Sequence, residues 1–453
     1  MPVRDRLLRE FLAAIEKKEQ QQLIELVEDN QPYDIAQILL IINAAQRKEL
    51  FQHLPNWLLA DLIQELDHED QQLIISEISA KKTAQILTEM SSDDAADLVG
   101  ELDDEKRQEL LALLDDEEAI ELRELLQYPE NSAGGLMTTE FVVIPKAYTA
   151  CEAIDKLREL APDAETVYYL YVVDEEEKLI GVLSLRDLIV AGPETIIAEI
   201  MYERVVSVPT DMDQEEVARV MEKYDFLAVP VVDMSMKLVG IVTIDDAMDV
   251  IKDEVSEDIA KFGGIGGKEA GVQDLNIGAF DAAKKRIPWL ALLLLIGIMS
   301  GNIIAQFEET LDQVIILAVF IPMIADMAGN TGTQSLAVVV RGLATGEFIG
   351  KDALRLIKRE AGVGVIIGTV NGLLISVLVA LWQQNIWLGF VIGFSLWVTL
   401  FFATLAGTIV PLLMDRLKID PAIASGPFIT TINDILGLTI YFTVATRFME
   451  YLI

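Results

Sequence analysis

From Ile287 onward the chain changes texture abruptly. Five long apolar segments follow, at about 287–307, 313–340, 361–382, 386–414 and 422–445. A helix of roughly 20 apolar residues crosses the hydrocarbon core of a bilayer, and each segment is long enough to do so. Lipid offers no hydrogen bonds to the backbone, so such segments must be helical. Lys284, Lys285 and Arg286 precede the first segment, whereas FEETLDQ after it has no basic residue. Arg341, Lys351, Arg355, Lys358 and Arg359 fall between the second and third, QQN between the third and fourth, and Arg416 with Lys418 between the fourth and fifth. Basic loops stay cytosolic, so this alternation predicts a cytosolic N-terminus and an outside C-terminus in the cell membrane, with Trp382 and Trp387 at the outer interface. The first residues, MPVRDRLLREFLAAIEKKEQ, form a charged amphipathic pattern, which argues against a cleaved signal peptide.

The spans are not uniformly apolar. The second carries Asp326, Asn330, Thr331, Thr333, Gln334 and Ser335, and the fifth carries Thr430, Thr431, Asn433 and Asp434 in the stretch TTINDILGLTIY. A carboxylate near the bilayer centre costs about 2.5–3.5 kcal/mol on insertion scales, so it normally faces a partner or a hydrated path. Asp434 is therefore the first functional candidate, with Asp326 the second. The competing reading is that the small and polar residues only join helices together. Gly329, Gly332, Gly426 and Pro427 are expected to interrupt these two helices, which is tolerable where freed carbonyls line a cavity.

The net charge of −38 lies entirely in the first part of the chain. Residues 1–283 carry 62 acidic and 24 basic side chains, and residues 284–453 carry 11 of each. Such a surface repels nucleic acid and attracts cations. With one cysteine, Cys151, and two histidines, His53 and His68, thiol-rich and imidazole-rich metal sites are excluded. A metal bound here must be a hard, oxygen-liganded cation.

Residues 1–130 read as helix, with a loose repeat opening on alanine: AQIL at 36, ADLI at 60, AQIL at 84 and ADLV at 96. This predicts stacked helical hairpins forming a small superhelix, a scaffold and not an enzyme. From about 133 to 256 strand and helix signals alternate, again with a repeat: YLYVVDEEEKLIGVLSLRDLI at 169–189 and FLAVPVVDMSMKLVGIVTIDDAM at 226–248. Their endings, Gly181-Ser184-Asp187 and Gly240-Thr243-Asp246, lie 59 residues apart. This segment resembles a tandem pair of cystathionine-β-synthase-type (CBS) domains. The resemblance implies adenine-nucleotide binding, ATP included, between the repeats, with Asp187 or Asp246 at the ribose and Arg186 and Phe226 nearby. The alternative reading, in which both aspartates cap the following helices, stays open.

Acidic residues gather before the spans. Asp93 and Asp97 lie one turn apart on a helix face. Asp213, Glu215 and Asp225 follow in the second repeat, and Asp246, Asp249, Glu254, Glu257 and Asp258 line a helix leading toward the membrane. A few carboxylates plus water suit Mg²⁺. KFGGIGGKEAG, residues 261–271, reads as a flexible connection to the first span.

The order of parts and the stretches MAGNTGTQSLAVVVRGLATGE and DPAIASGPFITTINDILGLTIYF, together with YDF, GIVTIDDAMDV and SEDI, resemble the MgtE family of magnesium channels. The domains expected are a helical N-terminal domain at 1–130, CBS domains at 131–198 and 199–256, a connecting helix and linker at 257–283, and a five-helix pore domain at 284–453. The resemblance implies a homodimer with a pore on its two-fold axis, lined by the second and fifth spans and closed by cytosolic Mg²⁺. It places pore-metal residues at Asp434, Asp326, Asn330, Thr430 and Asp420, and regulatory-metal residues at the ten acidic positions from Asp93 to Asp258 named above. Thr333, Gly426 and Asp326 depart from the family pattern, where asparagine, asparagine and glycine can stand. An ion-coupled secondary transporter of divalent cations, with carboxylates serving proton or sodium coupling, is the rival reading. A membrane-anchored metal or nucleotide sensor, which predicts no flux, is the other.

Overall fold

The computed structural model describes residues 2–17, 19–265, 278–344 and 352–452. The glycine-rich connection lies outside the described residues from position 266, as does Lys351 of the basic loop. The chain forms two compact units, Met1–Ile251 and Lys252–Ile453.

The first unit opens with ten short helices, from Pro2–Lys17 to Asp116–Leu125. Their ends are set by ordinary capping chemistry. Asn43 forms a reciprocal capping box with Gln46, and Ser79 and Asp103 each accept a backbone N–H three residues on. The repeat alanines Ala36, Ala60, Ala84 and Ala96 are all buried. Pro32–Ile41 packs on Asn56–Gln64, that helix on Ala80–Leu87, and that one on Asp104–Leu111. The period of 24 is thus the distance to every second helix. Alanine recurs there because a bare Cβ lets successive helices approach closely.

Two three-stranded sheets follow. In the first, β1 (Val143–Pro145) pairs parallel to β2 (Tyr169–Val173), which pairs antiparallel to β3 (Leu179–Ser184). In the second, β4 (Val208–Pro209), β5 (Ala228–Val232) and β6 (Leu238–Thr243) repeat that order. Both hairpins break register one step after the central glycine pairs, at Val172/Val173 and Val231/Val232. Both acidic turns have the same cause. Asp174 Oδ1 accepts the N–H groups of Glu176 and Lys178 at 2.9 and 3.0 Å, and Asp233 Oδ1 those of Ser235 and Lys237 at 2.8 and 2.9 Å. An Asx-type turn pins each hairpin.

The second unit holds five helices long and apolar enough to span a membrane: Ala279–Gln306, Ile315–Ala344, Ala353–Gln383, Ile386–Arg416 and Gly426–Arg447. They differ from the sequence reading mainly at their ends. Lys284, Lys285 and Arg286 lie inside the first helix, and the second is entered through a 3-10 segment, Ile315–Phe320, before its α-helix Ile321–Ala344. Tyr441 donates its hydroxyl to the Leu317 carbonyl at 2.8 Å, satisfying this irregular backbone. Trp387 stacks on Tyr451 at 4.6 Å and Trp382 meets Phe320 edge-on, so these rings gather at one end of the unit, beside the loop at 384–385 and the last turn of the chain. The first span buries no side chain.

Candidate functional site

The second and fifth spans pack closely, and glycine is the reason. Contrary to expectation, Gly329 and Gly332 do not interrupt the second helix, which runs unbroken from Ile321 to Ala344. They remove side chains where the fifth span crosses. A Cβ on Gly329 would lie 2.7 Å from Thr430 Cγ2, and one on Gly332 would overlap Asn433 Nδ2. Gly426 and Pro427 likewise mark the start of the fifth helix, where proline's missing N–H costs nothing. The true irregularities are the 3-10 turns before the two helices, at Ile315–Phe320 and Pro421–Ile423.

This packing sorts the polar residues by face. Asn433 is fully buried with both amide atoms unpartnered among the described residues, and Thr333 Oγ1 sits 3.3 Å from Thr430 Oγ1 while donating to the Gly329 carbonyl. Thr431 donates to Pro427 O within its own helix. Asp326, Asn330 and Gln334, four residues apart, share an exposed face that no other described residue covers. Asp434 is half-buried and close enough to Asp326 for their charges to repel. The structure therefore brings Asp434 near Asp326 and sets Thr430 against Gly329 and Thr333, while Asn330 shares the exposed face of Asp326. Asp420 stands apart from these, in the turn leading into the fifth span. Its Oδ1 accepts the Ala422 N–H at 2.8 Å and its Oδ2 receives the Lys261 ammonium at 2.5 Å.

A carboxylate absent from the sequence reading is Glu360 on the third span. It is buried, 3.3 Å from Ser335 Oγ on the second span and 3.1 Å from the Arg359 guanidinium. One charge in an otherwise basic juxtamembrane run was the available signal.

In the first unit, Asp93 and Asp246 meet although 153 positions separate them. Asp93 Oδ1 is sealed from solvent with no hydrogen-bond partner among the described residues. Burial, then the charges of Asp246, Asp94 and Glu165, push the Asp93 carboxyl well above the usual range. Asp246 accepts the Thr243 hydroxyl at 2.6 Å, yet burial still raises it to about 7. Asp97 is also raised to about 7 by burial, with His68 partly opposing. Asp94 and Glu165 are raised by burial as well, and Glu65 by burial followed by Asp94 and Asp249. Sequence reasoning missed Asp94, Glu165 and Glu65, because only folding brings these loop and helix positions together. An orphaned, desolvated carboxylate oxygen facing a second carboxylate fits a hard cation. Among the described residues no group of three or more His, Cys, Asp or Glu side chains forms a closed metal cage. One or two carboxylates with water is therefore the arrangement available.

The other acidic candidates have structural partners. Asp213 caps the helix Gln214–Tyr224 by accepting the Glu215 N–H at 3.0 Å, Glu215 pairs with Arg219, and Asp225 ends that helix in the left-handed region at φ 54°. Asp249, Glu254, Glu257 and Asp258 lie on the helix Ile244–Phe262, with Glu257 2.7 Å from Lys261.

A cavity of about 720 Å³ opens by the first repeat, lined by Tyr168, Tyr169, Arg186, Asp187, Tyr202 and Leu227 among others. Arg186 and Asp187 both line it. The capping alternative for Asp187 changes: Ser184 caps the helix Leu185–Val190, and Asp187 accepts the Ser184 hydroxyl at 2.6 Å. Phe226 is next in sequence to the lining residue Leu227 and stacks on Tyr224 at 5.3 Å.

Comparison with known proteins places this geometry. Residues 321–444 match the MgtE divalent cation transporter family, residues 30–131 the MgtE intracellular N domain, and residues 133–194 and 197–253 the CBS domain. A magnesium transporter MgtE of Bacillus subtilis (strain 168) is 44% identical over 429 residues, 94% of each chain. The chain belongs to the MgtE family. A second MgtE relative, from Enterococcus faecalis, is 47% identical over 330 residues, covering 73% of this chain and 72% of its own. The crystal structure of the soluble part of a magnesium transporter superposes with a TM-score of 0.54 at 40% identity, covering 55% of this chain and 99% of that one. The cytosolic domain of the Mg²⁺ channel MgtE in complex with ATP superposes at 0.51 and 42% identity, covering 54% and 99%. MgtE proteins are transporters and channels, not enzymes.

Proposed function

We propose that this chain carries Mg²⁺ into the cytoplasm through its five-span unit, with two copies forming the pore and cytosolic Mg²⁺ closing it. The observation that carries this reading is the seam at Asp434. A half-buried carboxylate, repelled by Asp326, faces the uncovered polar stripe Asp326, Asn330 and Gln334 of a membrane helix. A second copy set against that stripe makes a two-fold ring of carboxylates and amides. Mg²⁺ sheds its water reluctantly, so such a ring recognises the hydrated ion through hydrogen bonds to its water shell. A dication between paired carboxylates offsets both their repulsion and their desolvation. The N-terminus is then cytosolic and the C-terminus outside, as the alternation of basic and non-basic loops directs.

Closure rests on the acidic first unit. The Asp93–Asp246 pair is destabilised by its own charge, and a bridging cation relieves it. Compact and loosened arrangements then differ in Mg²⁺ affinity, which is the only way a ligand shifts such an equilibrium. The connecting segment from 246 to 275 passes that change to the pore; its part beyond 265 lies outside the described residues. The Arg186–Asp187 cavity is our candidate place for ATP, a ligand held by the related cytosolic domain.

The test is Mg²⁺ flux into vesicles reconstituted with wild type or Asp434→Ala, at several internal Mg²⁺ levels and with proton and sodium gradients clamped. The variant is expected to lose flux by an order of magnitude or more, since about 1.4 kcal/mol of lost stabilisation along the path is already tenfold. Unchanged flux removes Asp434 from the ion path; flux that follows the proton or sodium gradient establishes a coupled transporter instead.

A further inference from the structure

Lys261 lies near the end of the helix Ile244–Phe262, and its ammonium bridges two carboxylates. Nζ is 2.5 Å from Asp420 Oδ2 and 2.7 Å from Glu257 Oε1. All three side chains are about two-thirds buried, at 27%, 34% and 32% exposure. The contact joins two distant stretches of chain, and the surrounding packing gives it a fixed place. The neighbouring Phe262 packs against Leu336 of the second span and Ala424 and Ile429 at the head of the fifth. Beyond it, Gly264 takes φ +72° and sits where any Cβ would overlap Trp289 of the first span. The helix end is thus seated on the same two spans that carry Asp326 and Asp434.

We infer that Lys261 is a positioning residue whose ammonium acts as a built-in cation, clamping the connecting helix to the mouth of the fifth span through Glu257 and Asp420. This inference rests on the regulated-channel reading above. The electrostatic logic is direct. Glu257 and Asp420 meet across the seat of the helix, and two carboxylates sharing one partly buried place repel strongly without a cation between them. Lys261 supplies that cation from within the chain, so seating the helix does not require a divalent ion at this pair. Asp420 serves both ends of the contact: Oδ2 holds the ammonium while Oδ1 caps the turn that starts the fifth span. Movement of the helix is thereby tied to the entry geometry of a pore-lining span. Mg²⁺ bound elsewhere in the acidic region needs only to tip a balance that the clamp already favours.

The experiment is Mg²⁺ flux from full-length protein in vesicles, measured against internal Mg²⁺ for wild type, Lys261→Met, Lys261→Arg, Asp420→Asn and the Lys261→Met/Asp420→Asn double variant. Asparagine at 420 keeps the Oδ1 acceptor for the Ala422 N–H and removes only the charge. Lys261→Met is expected to raise the internal Mg²⁺ giving half-closure about fivefold, at the lower end of measured site-to-site couplings. Lys261→Arg is expected to stay near wild type, and the double variant to shift no further than the larger single shift, because both changes remove one interaction. The elution profile and thermal midpoint of the purified full-length protein report whether each variant has assembled; if Lys261→Met has not, Asp420→Asn compared with Lys261→Arg decides by the same criterion. An unchanged or lowered midpoint in Lys261→Met, or additive shifts in the double variant, overturns the clamp while leaving the channel reading intact. Failure of internal Mg²⁺ to close the wild type overturns the regulated reading itself, and the clamp with it.

Discussion

Two pairs of carboxylates, one in each unit, face the same electrostatic problem and meet it differently. Asp93 and Asp246 are brought together in the soluble unit with one oxygen sealed and unpartnered, each raised above the usual carboxylate range. Asp326 and Asp434 approach each other in the membrane unit, but Asp326 stands on an uncovered helix face and Asp434 is only half-buried. On the function proposed above, the first pair holds a cation, since its burial makes the unbound state costly, and the second lets one pass, since an open face binds weakly enough for the ion to leave. In that proposal burial, not the residue type, separates a sensor from a path.

The sharpest break in this comparison is to remove the sensor while leaving the path. Replacing Asp246, Asp249 and Glu257 together by alanine is expected to leave Mg²⁺ flux that no longer falls as internal Mg²⁺ rises, measured in the same vesicles. Retained inhibition would transfer the sensor role to other carboxylates, with Asp94 and Glu165 the first to examine.

A smaller effect, confined to the membrane pair, is expected from Gly332→Ala. The added Cβ overlaps Asn433 Nδ2, beside Asp434, so the Asn433 side chain or the fifth span must shift. Overpacking of this kind costs about 1–3 kcal/mol, and flux is expected to fall several-fold with closure by Mg²⁺ retained. Wild-type flux in Gly332→Ala would show that the span contact tolerates displacement.

The smallest effect is a pH dependence of the buried carboxylates of the first unit. Asp97 and Asp246 have folded pKa values near 7, against 3.8 in the ordinary case. Groups raised in this way bind their protons more tightly when folded, so their contribution is complete below the unfolded value and is lost as pH rises through the folded one. The thermal midpoint of the first unit is therefore expected to fall by several degrees between about pH 5 and about pH 7.5 in the absence of Mg²⁺. Saturating Mg²⁺, which replaces the proton between the carboxylates, is expected to flatten that fall. Scanning calorimetry on the full chain checks both; a midpoint that rises over this window would contradict the burial of these groups.

The legible and illegible parts of the molecule divide along sequence distance. The five spans, the alanine period and the CBS repeat are local periodicities, and each emerged as the corresponding helices, stacked hairpins or paired sheets. Asp434 and the Asp93–Asp97 turn could be singled out because one residue or one helical turn carried the anomaly. Glycines misled the reading: Gly329 and Gly332 looked like helix breaks, but missing side chains also permit close crossing, and the sequence does not say which use applies. Ser184 took the capping role given to Asp187 because a hydroxyl can accept the backbone N–H while donating to the carboxylate three residues on.

The sequence by itself determined the division into an acidic part and an apolar part, the number of spans, and the presence of a carboxylate in the last of them. These follow from composition and period, which each segment carries alone. Only the tertiary structure decided which charges meet. Asp93 finds Asp246, Glu65 feels Asp249, Lys261 reaches Asp420, and Glu360 is sealed beside Ser335, all across long stretches of chain. Electrostatic interaction falls off with distance in space and takes no account of distance in sequence, so those pairings become readable only once the packing is fixed.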